Sequence, residues 1–422
     1  MIIEHVVSPT LKPFLEQHHP DYRGKIIKSP STYKLVAEHS EYVKNNDVVY
    51  YEAGFNASSL KVPISQVLSP EHIEKIRNRQ LLLIVDFSLE LHDDYVPELY
   101  KNLIVRDDIP AEQIVLLAHT LDYKNRIEET AKLYGKPLVK YEYYPYWIRS
   151  QQVTFKNSLQ DLGANTIDHN NSGLYFKNTQ RKFLFLNNNW KEHRITLLCL
   201  LQHFNLLDYS YVSFSGKPER EGLYKRLVQS KQPIPQWLEK EQTNTLAENW
   251  DVWIDQSVNK YKDIGVEIRS GSNIVDKLPL TLDMEDRPLH IPYMSQTRLM
   301  KYYKNTFFSV VTESGFDHHE TFITEKVFKA ISHKHPFIFC GETHSLQRLQ
   351  QMGYKTFNNI IDESYDNESD PNKRMLLICR EIEKLCKMNE TETETFKEQC
   401  KPIVEYNFDR FFNEKSFIIK VL

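Results

Sequence analysis

The sequence predicts an α/β fold of two facing Rossmann-like domains, each with a parallel sheet, and an active site in the cleft between the domains. Three observations support this. The chain has 422 residues, enough for two domains of ordinary size. Short apolar runs alternate with helical patterns in both halves, which is typical of parallel sheets covered by helices. A polar stretch over 157–178 separates the halves and indicates an interdomain linker.

In the first half, apolar runs that are too short for helices predict the strands. The runs over 47–51, 81–87, 113–118 and 138–143 fit strands of a buried parallel sheet. A helical pattern follows the third run and stops before Gly135, and glycine often ends helices. These elements predict a first domain over 1–165, with its helix at 123–134.

In the second half the alternation starts again and predicts a second domain over 175–390. A helical segment over 391–422 follows, and we expect it to pack back on the first domain. The predicted strands are 182–186, 211–214, 307–312, 336–340 and 355–358. The predicted helices are 192–203 with a continuation to Leu206, 324–333, 344–352 and 371–388.

The bulk composition argues against several classes of protein. The net charge is -4, without the basic surplus that is usual in proteins that hold nucleic acid through many phosphates. The five cysteines form no CxxC pair and are odd in number, which argues against a disulfide framework or a zinc site. The sequence starts without a leader pattern and contains no apolar run of membrane-spanning length, so we expect a cytoplasmic enzyme without a membrane span.

The segment 310–341 has the order strand, polar loop, helix, strand, which favours a phosphate site at the start of the helix. Thr324 is the expected N-cap. Lys326 in the first turn would add a full positive charge for a phosphate, and Glu325 can accept hydrogen bonds from ribose hydroxyls. A capped helix start with a Glu-Lys surface pair is the alternative interpretation.

This segment resembles the signature of the α1,3-fucosyltransferase family and its bacterial and viral relatives. The family pattern is Glu-Asn-Ser, a spacer, then Asp-Tyr-(Ile/Val)-Thr-Glu-Lys. Glu313-Ser314 matches the first element without its asparagine, and 320–328 (ETFITEKVF) matches the second. Phe322 replaces the family tyrosine, so stacking stays available while a hydroxyl is lost. The resemblance implies that these residues bind a nucleotide-sugar donor: Glu313, Phe322, Thr324, Glu325 and Lys326.

A second stretch, 183–194 (FLFLNNNWKEHR), resembles the family's strand, turn and arginine. The resemblance implies that Asn188 and Arg194 bind the donor and that Arg194 contacts its diphosphate, for which the planar guanidinium fork is suited. The similarity covers mainly residues 180–370. It implies a GT-B-type glycosyltransferase, with the donor bound by the second domain and the acceptor by the first.

An inverting transfer also needs a general base for the acceptor hydroxyl, at the carboxyl end of a strand of the first domain. Glu90 and Asp86 follow the apolar run 81–87, and we rank Glu90 first and Asp86 second, ahead of Glu52. A helix cap or a surface charge is the alternative interpretation of each carboxylate. The aromatic run 141–147 can stack on a sugar or a base, or it can pack in a core.

The donor pocket has further candidates in His318 and His319, before the phosphate helix, and in Glu363 and Tyr365, after the last strand. A polar loop that caps the next helix is an equal alternative for the latter pair. The stretch 317–320 lacks the histidine spacing of a helical zinc site, and 283–286 resembles a loose Asp-x-Asp motif. Because enzymes of the implied type generally act without a metal held by such a motif, we expect no metal and no cofactor besides the co-substrate.

Three functions remain open from the sequence. The favoured one is transfer of a sugar, with GDP-fucose as the favoured donor, to a glycan or another hydroxyl acceptor. The second is a phage or viral transferase that glycosylates a hydroxymethylated DNA base. The third is a nucleotide-binding protein without catalysis. The sequence leaves the donor, the acceptor, the stereochemical outcome and the oligomeric state undetermined.

Overall fold

The computed structural model describes residues 2–7, 36, 40–53, 57–87, 95–118, 123–149, 151–152, 172–177, 179–187, 191–214, 296–317 and 321–413. The chain divides into two compact units. The first comprises Met1–Asn165, Leu289–Met294 and Phe411–Leu422. The second comprises Thr166–Pro288 and Ser295–Arg410.

The first unit contains a five-stranded parallel sheet whose strands follow the order of the chain. The strands are β1 (Ile2–Val7), β2 (Val48–Glu52), β3 (Leu82–Phe87), β4 (Ile114–Ala118) and β5 (Lys140–Tyr143). The helices are α1 (Glu41–Asn45), α2 (Pro70–Arg77), α3 (Tyr95–Leu99) and α4 (Tyr123–Tyr134), and a π-helical segment, Tyr100–Arg106, continues α3. Short 3-10 turns lie at Ala57–Lys61, Ile64–Gln66 and Ala111–Gln113.

Local sequence explains these elements well. Every residue of β2, β3 and β4 is buried, as expected for central strands of a parallel sheet that is covered on both faces. The side chain of Ser69 caps α2, and Pro70 occupies its first turn. The bounds of α4 are those predicted, and the helix ends where Gly135 adopts a φ of +59°.

The second unit contains a four-stranded parallel sheet in the order β7-β6-β8-β9. The strands are β6 (Phe183–Asn187), β7 (Ser210–Phe214), β8 (Phe308–Thr312) and β9 (Phe337–Cys340). The helices are α5 (Glu192–His203), α6 (Gln296–Lys304), α7 (Glu325–Ser332), α8 (Ser345–Gln351), α9 (Pro371–Lys387) and α10 (Glu390–Asn413). Short 3-10 turns lie at Gly173–Tyr175, Leu207–Tyr209 and Ser364–Asn367.

The predicted fold class of two Rossmann-like α/β domains is confirmed, and two details of the prediction were wrong. The stretch 355–358 is not a strand, because the side chain of Asn407 bonds both the N–H and the C=O of Lys355 and takes the place of a neighbouring strand. Residues Ile2–Val7, to which the sequence pattern assigned no structure, form β1. Most of the predicted linker 157–178 lies outside the described residues.

The order of strands distinguishes the two sheets. In the second unit, β6 pairs with β7 on one side and with β8 on the other. The order in which successive strands are added to the sheet therefore reverses at β6, between β6 and β8. Open parallel sheets bind ligands outside the carboxyl ends of their strands at such a switch point. Among the described strands of the first unit there is no reversal, so this rule selects the edge of β6 and β8.

One of the long helices of the second unit is clearly amphipathic. Helix α9 buries Met375, Ile378, Cys379 and Ile382 along one face. Among the residues that the structure describes, no helix combines the length and the apolarity needed to cross a bilayer. All five cysteines are free thiols in buried positions.

Candidate functional site

Four side chains that carry or can carry positive charge surround the two residues that follow β8. Lys191 Nζ donates to the Ser314 carbonyl oxygen at 2.6 Å, and Arg194 Nη2 donates to the Glu313 carbonyl oxygen at 2.9 Å. The Nε2 atom of His193 lies 3.0 Å from the same Glu313 oxygen. Lys326 Nζ donates to Ser314 Oγ at 3.2 Å. We call this set the cation cluster: Lys191, His193, Arg194 and Lys326.

The residues of the cation cluster lie at the N-termini of two helices, next to the switch point. Lys191 is the N-cap residue of α5, and His193 and Arg194 lie in its first turn. Lys326 lies in the first turn of α7. The first N–H groups of a helix lack intrahelical partners and carry partial positive charge, so both helices add to the field of the side chains.

Arg194 is a buried member of the cluster, with 3% of its surface exposed. Its guanidinium holds the end of β8 through the carbonyl oxygens of Glu313, at 2.9 Å, and of Thr312, at 3.4 Å. Burial lowers the pKa of Arg194, and the carboxylates of Glu313 and Glu325 act in the opposite direction. The arginine therefore ties α5 to the strand beside the switch point, and its contact with a donor stays a prediction.

Glu313 and Thr324 join the loop after β8 to the start of α7. The N–H of Thr324 donates to Glu313 Oε1 at 3.1 Å, and its hydroxyl donates to Oε2 of the same carboxylate. Thr324 occupies the N-cap position, but its side chain makes no capping bond, so this part of the prediction was wrong. The physical reason is that the hydroxyl donates to the buried carboxylate of Glu313 and accepts from Lys326 Nζ instead of from a backbone N–H of α7.

Lys326 closes this network from the solvent side. Its Nζ donates to Thr324 Oγ1 at 2.8 Å and lies 3.8 Å from Glu313 Oε2. The side chain keeps 24% of its surface exposed, whereas that of Glu313 keeps 1%. Burial raises the pKa of Glu313, although Lys326 opposes the shift. An anion at this place would meet a lysine that is held in position and still reachable.

Glu325 lies between two lysines of α7. Its Oε1 is 3.4 Å from Lys326 Nζ and 3.7 Å from Lys329 Nζ. Burial would raise the pKa of Glu325, but the two lysines outweigh it and hold the pKa at about 2. The group is thus ionised at neutral pH, the state required for the predicted bonds from ribose hydroxyls, which remain untested.

The remaining predicted donor residues within the described ranges are engaged in packing. Phe322 is buried, with 3% exposed. Tyr365 is buried as well, and its hydroxyl accepts from the N–H of Phe339 in β9. Glu363 accepts from the N–H of Phe357 at 2.7 Å, and burial raises its pKa to about 7. These contacts stabilise the second unit, and a role for these side chains in the donor pocket stays a prediction.

The base candidates lie in the first unit. Asp86 belongs to β3, is 2% exposed and accepts a hydrogen bond from the buried hydroxyl of Tyr50 in β2. Glu52, at the end of β2, is 8% exposed. The first-ranked base, Glu90, lies outside the described residues, as do three donor candidates: Asn188, His318 and His319.

Several residues of the site were missed from the sequence. Lys191 and His193 have a detectable signal, since they flank the start of a predicted helix after a strand. Phe316 and Arg374 have none, because they meet only in three dimensions. The Phe316 ring stacks on His193 with centroids 5.5 Å apart, and the Arg374 guanidinium lies 4.5 Å from the centroid of the same ring. This stack anchors the loop that carries Glu313 and Ser314.

Two stretches of the sequence, 317–320 and 283–286, contain side chains that can bind a metal ion. In the part of the chain that the structure describes, no three His, Cys, Asp or Glu side chains are grouped so that they could hold a metal ion. Residues 318–320 and 283–286 lie outside that part. The expectation of a metal-independent reaction therefore stays a prediction.

Comparisons with known proteins add a likeness to solved structures. No family model and no curated protein matches the chain. An α,α-trehalose-phosphate synthase (UDP-forming) from Burkholderia vietnamiensis aligns with a TM-score of 0.41 at 8% identity, over 89% of this chain and 72% of that chain. A second structure, described as trehalose-6-phosphate from E. coli bound with UDP-2-fluoro glucose, aligns with a TM-score of 0.38 at 11% identity, over 87% of this chain and 71% of that chain.

Proposed function

We propose that the protein is a glycosyltransferase that moves a sugar from a nucleotide-sugar to an acceptor hydroxyl. In this proposal the carboxyl edge of β6 and β8 binds the diphosphate of the donor. The observation that carries the proposal is the cation cluster around Glu313 and Ser314, built from two helix starts at the switch point of the second sheet.

The charges of the site favour an anionic ligand. Lys191, Arg194 and Lys326 bring three positive charges, and the helix dipoles of α5 and α7 add partial ones. Among the side chains that the structure describes there, the carboxylates are those of Glu313 and Glu325, and burial raises the pKa of Glu313 and so favours its neutral form. A diphosphate would balance this surplus and offer several oxygens to donors that lie around one loop.

The same arrangement fits the chemistry of transfer. When the bond between the sugar and the nucleotide breaks, the departing diphosphate gains negative charge, and fixed donors stabilise that charge without reorganising. Lys326 and the start of α7 would act on the leaving group, and Arg194 would hold the strand end that supports them. We further propose an inverting reaction without a metal, with Glu90 or Asp86 as the base.

For the donor, the similarity of residues 320–328 to the fucosyltransferase signature supports GDP-fucose, and it supports a glycan as the acceptor. Asp86 is a suitable base only if the hydrogen bond from the Tyr50 hydroxyl to its carboxylate breaks when an acceptor binds. This requirement makes Tyr50→Phe a useful variant for assigning the base once activity is measured.

The test is binding of nucleotides to the wild type and to two lysine variants. Melting temperature and calorimetric titration with GDP, UDP and CDP, alone and as their sugars, should identify one base, because a ligand of the native state raises its stability. Lys326→Ala should weaken binding of that diphosphate at least about tenfold, the effect of losing one hydrogen bond to a charged group.

Lys373→Ala is the matched control, because Lys373 is an exposed lysine in the first turn of α9. It should bind the nucleotide as the wild type does. If no nucleotide shifts the melting temperature of the wild type, the proposed function is wrong. If Lys326→Ala and Lys373→Ala bind equally, the diphosphate lies elsewhere.

A further inference from the structure

Asn187 is the last residue of β6 and lies at the switch point beside β8. It is 5% exposed. The hydroxyl of Thr312, the last residue of β8, donates to Asn187 Oδ1 at 2.5 Å. This bond engages the oxygen of the carboxamide and leaves the amide nitrogen Nδ2 for a different partner.

The Nδ2 atom of Asn187 is buried and makes no hydrogen bond with any residue that the structure describes. Two main-chain carbonyl oxygens at the end of β8, those of Thr312 and Glu313, accept from Arg194. Native proteins rarely leave a buried amide donor without a partner, and such a group calls for a ligand or a water that supplies the missing acceptor.

The surroundings favour one kind of acceptor. Asn187 is bonded to Thr312, and Thr312 directly precedes Glu313, around which the cation cluster is built. A group that meets this donor and the cluster together must be rich in lone pairs and negatively charged. Oxygens of a phosphate satisfy both conditions, whereas a sugar hydroxyl or a neutral base edge satisfies only the first.

We propose that the amide of Asn187 is a diphosphate-binding group that donates from Nδ2 to a phosphate oxygen of the donor nucleotide, with Thr312 as the residue that orients it. The inference rests on the proposed function. It adds a ligand contact from the end of β6 to those predicted from α5 and α7. The amide is neutral, so it selects the position of the phosphate oxygen and leaves the charge balance to the lysines.

Two substitutions separate a ligand contact from a structural role. Asn187→Asp keeps the size and an acceptor for the Thr312 hydroxyl, and replaces the donor by an oxygen that repels phosphate. Asn187→Leu has a similar volume and removes both the unsatisfied donor and the acceptor of the Thr312 hydroxyl. Asn358→Asp, on an exposed turn of the same unit, is the matched control for the change of charge.

The readouts are the Kd of the nucleoside diphosphate that binds the wild type, the Kd of the corresponding monophosphate, and the melting temperature without ligand. We expect both Asn187 variants to bind the diphosphate at least about tenfold more weakly, the size of one hydrogen bond to a charged group. The melting temperature without ligand shows what each substitution costs the fold, and Asn358→Asp should change neither property.

The outcomes distinguish this inference from the function on which it rests. If the wild type binds no nucleotide, both fall. If the wild type binds and both Asn187 variants bind equally well, only the role of Asn187 is refuted. A lower melting temperature of Asn187→Leu with unchanged diphosphate affinity would show that the amide serves the fold. An equal loss of affinity for monophosphate and diphosphate would place the contact at the first phosphate.

Discussion

Acidification should destabilise the second unit through one buried histidine, His335, which lies between α7 and β9. The ring is fully buried. Its Nδ1 accepts from the Ser309 hydroxyl at 2.6 Å, and its Nε2 donates to the Thr306 carbonyl oxygen at 2.8 Å. These two bonds require the neutral ring. Burial lowers the pKa of His335 to about 3.

The magnitude follows from linkage between protonation and folding. The unfolded chain binds a proton on this histidine below about pH 6.5, whereas the folded chain does not until about pH 3. The contribution of His335 is therefore complete above pH 6.5 and decreases as the pH falls through this window. Each pH unit corresponds to about 1.4 kcal/mol, so acidification from pH 6.5 to about pH 4.5 should remove about 2–3 kcal/mol.

The assay is urea-induced unfolding at several pH values between about 7 and 4.5, with the wild type and His335→Gln. Glutamine can keep one donor and one acceptor but does not titrate. It will change the absolute stability, so the quantity of interest is the difference in pH dependence. His203→Gln is the matched control, since His203 is partly exposed at the end of α5.

We expect the free energy of unfolding to fall more steeply on acidification in the wild type than in His335→Gln. Buried carboxylates with a raised pKa, such as that of Glu313, act in the opposite direction but are present in both proteins, so they cancel in the difference. Parallel pH profiles of the wild type and His335→Gln would refute the claim that the buried ring stays neutral.

Two further predictions concern the same unit. Gly353→Ala should destabilise the protein by about 1–3 kcal/mol, because Gly353 has a φ of +84° and a Cβ would lie 2.3 Å from the Arg410 guanidinium. Gly135→Ala should cost less, since its φ of +59° meets open space, and equal losses of melting temperature would contradict the steric argument. Glu363→Gln should flatten the decline in stability between about pH 4.5 and 7: the folded pKa of about 7 exceeds the unfolded value of 4.5, so the contribution of the protonated carboxyl is complete below pH 4.5 and is lost as the pH rises to 7. Unfolding profiles of equal slope between about pH 5 and 7 would contradict it.

Most of the sheet elements were predictable because buried parallel strands need continuous apolar runs. The run 81–87 became β3, and the helical pattern at 192–203 became α5, which ends at His203 without the predicted continuation to Leu206. Prediction failed where a distant side chain decides the backbone. Residues 355–358 were predicted as a short strand, but the amide of Asn407 satisfies the backbone that a neighbouring strand would otherwise bind.

Part of the candidate site could also be predicted from the sequence. The position of Lys326 in the first turn of a helix after a strand was predicted, and the structure has it there. The hydrogen bonds from Thr324 to Glu313 were not predicted, because eleven residues separate the two in the chain. The contacts of the Phe316 ring with His193 and with Arg374 join three separate segments, so no local sequence pattern predicts them.

The sequence by itself determined which segments become strands and helices, since apolar periodicity and capping act over a few residues. It also determined that basic residues start two helices after strands. Only the tertiary structure decided that Lys191, Arg194 and Lys326 surround one loop, because the order β7-β6-β8-β9 brings the starts of α5 and α7 to the same edge. It also decided that the amide of Asn187 is left without a partner, since hydrogen bonding in a buried site depends on every neighbour at once.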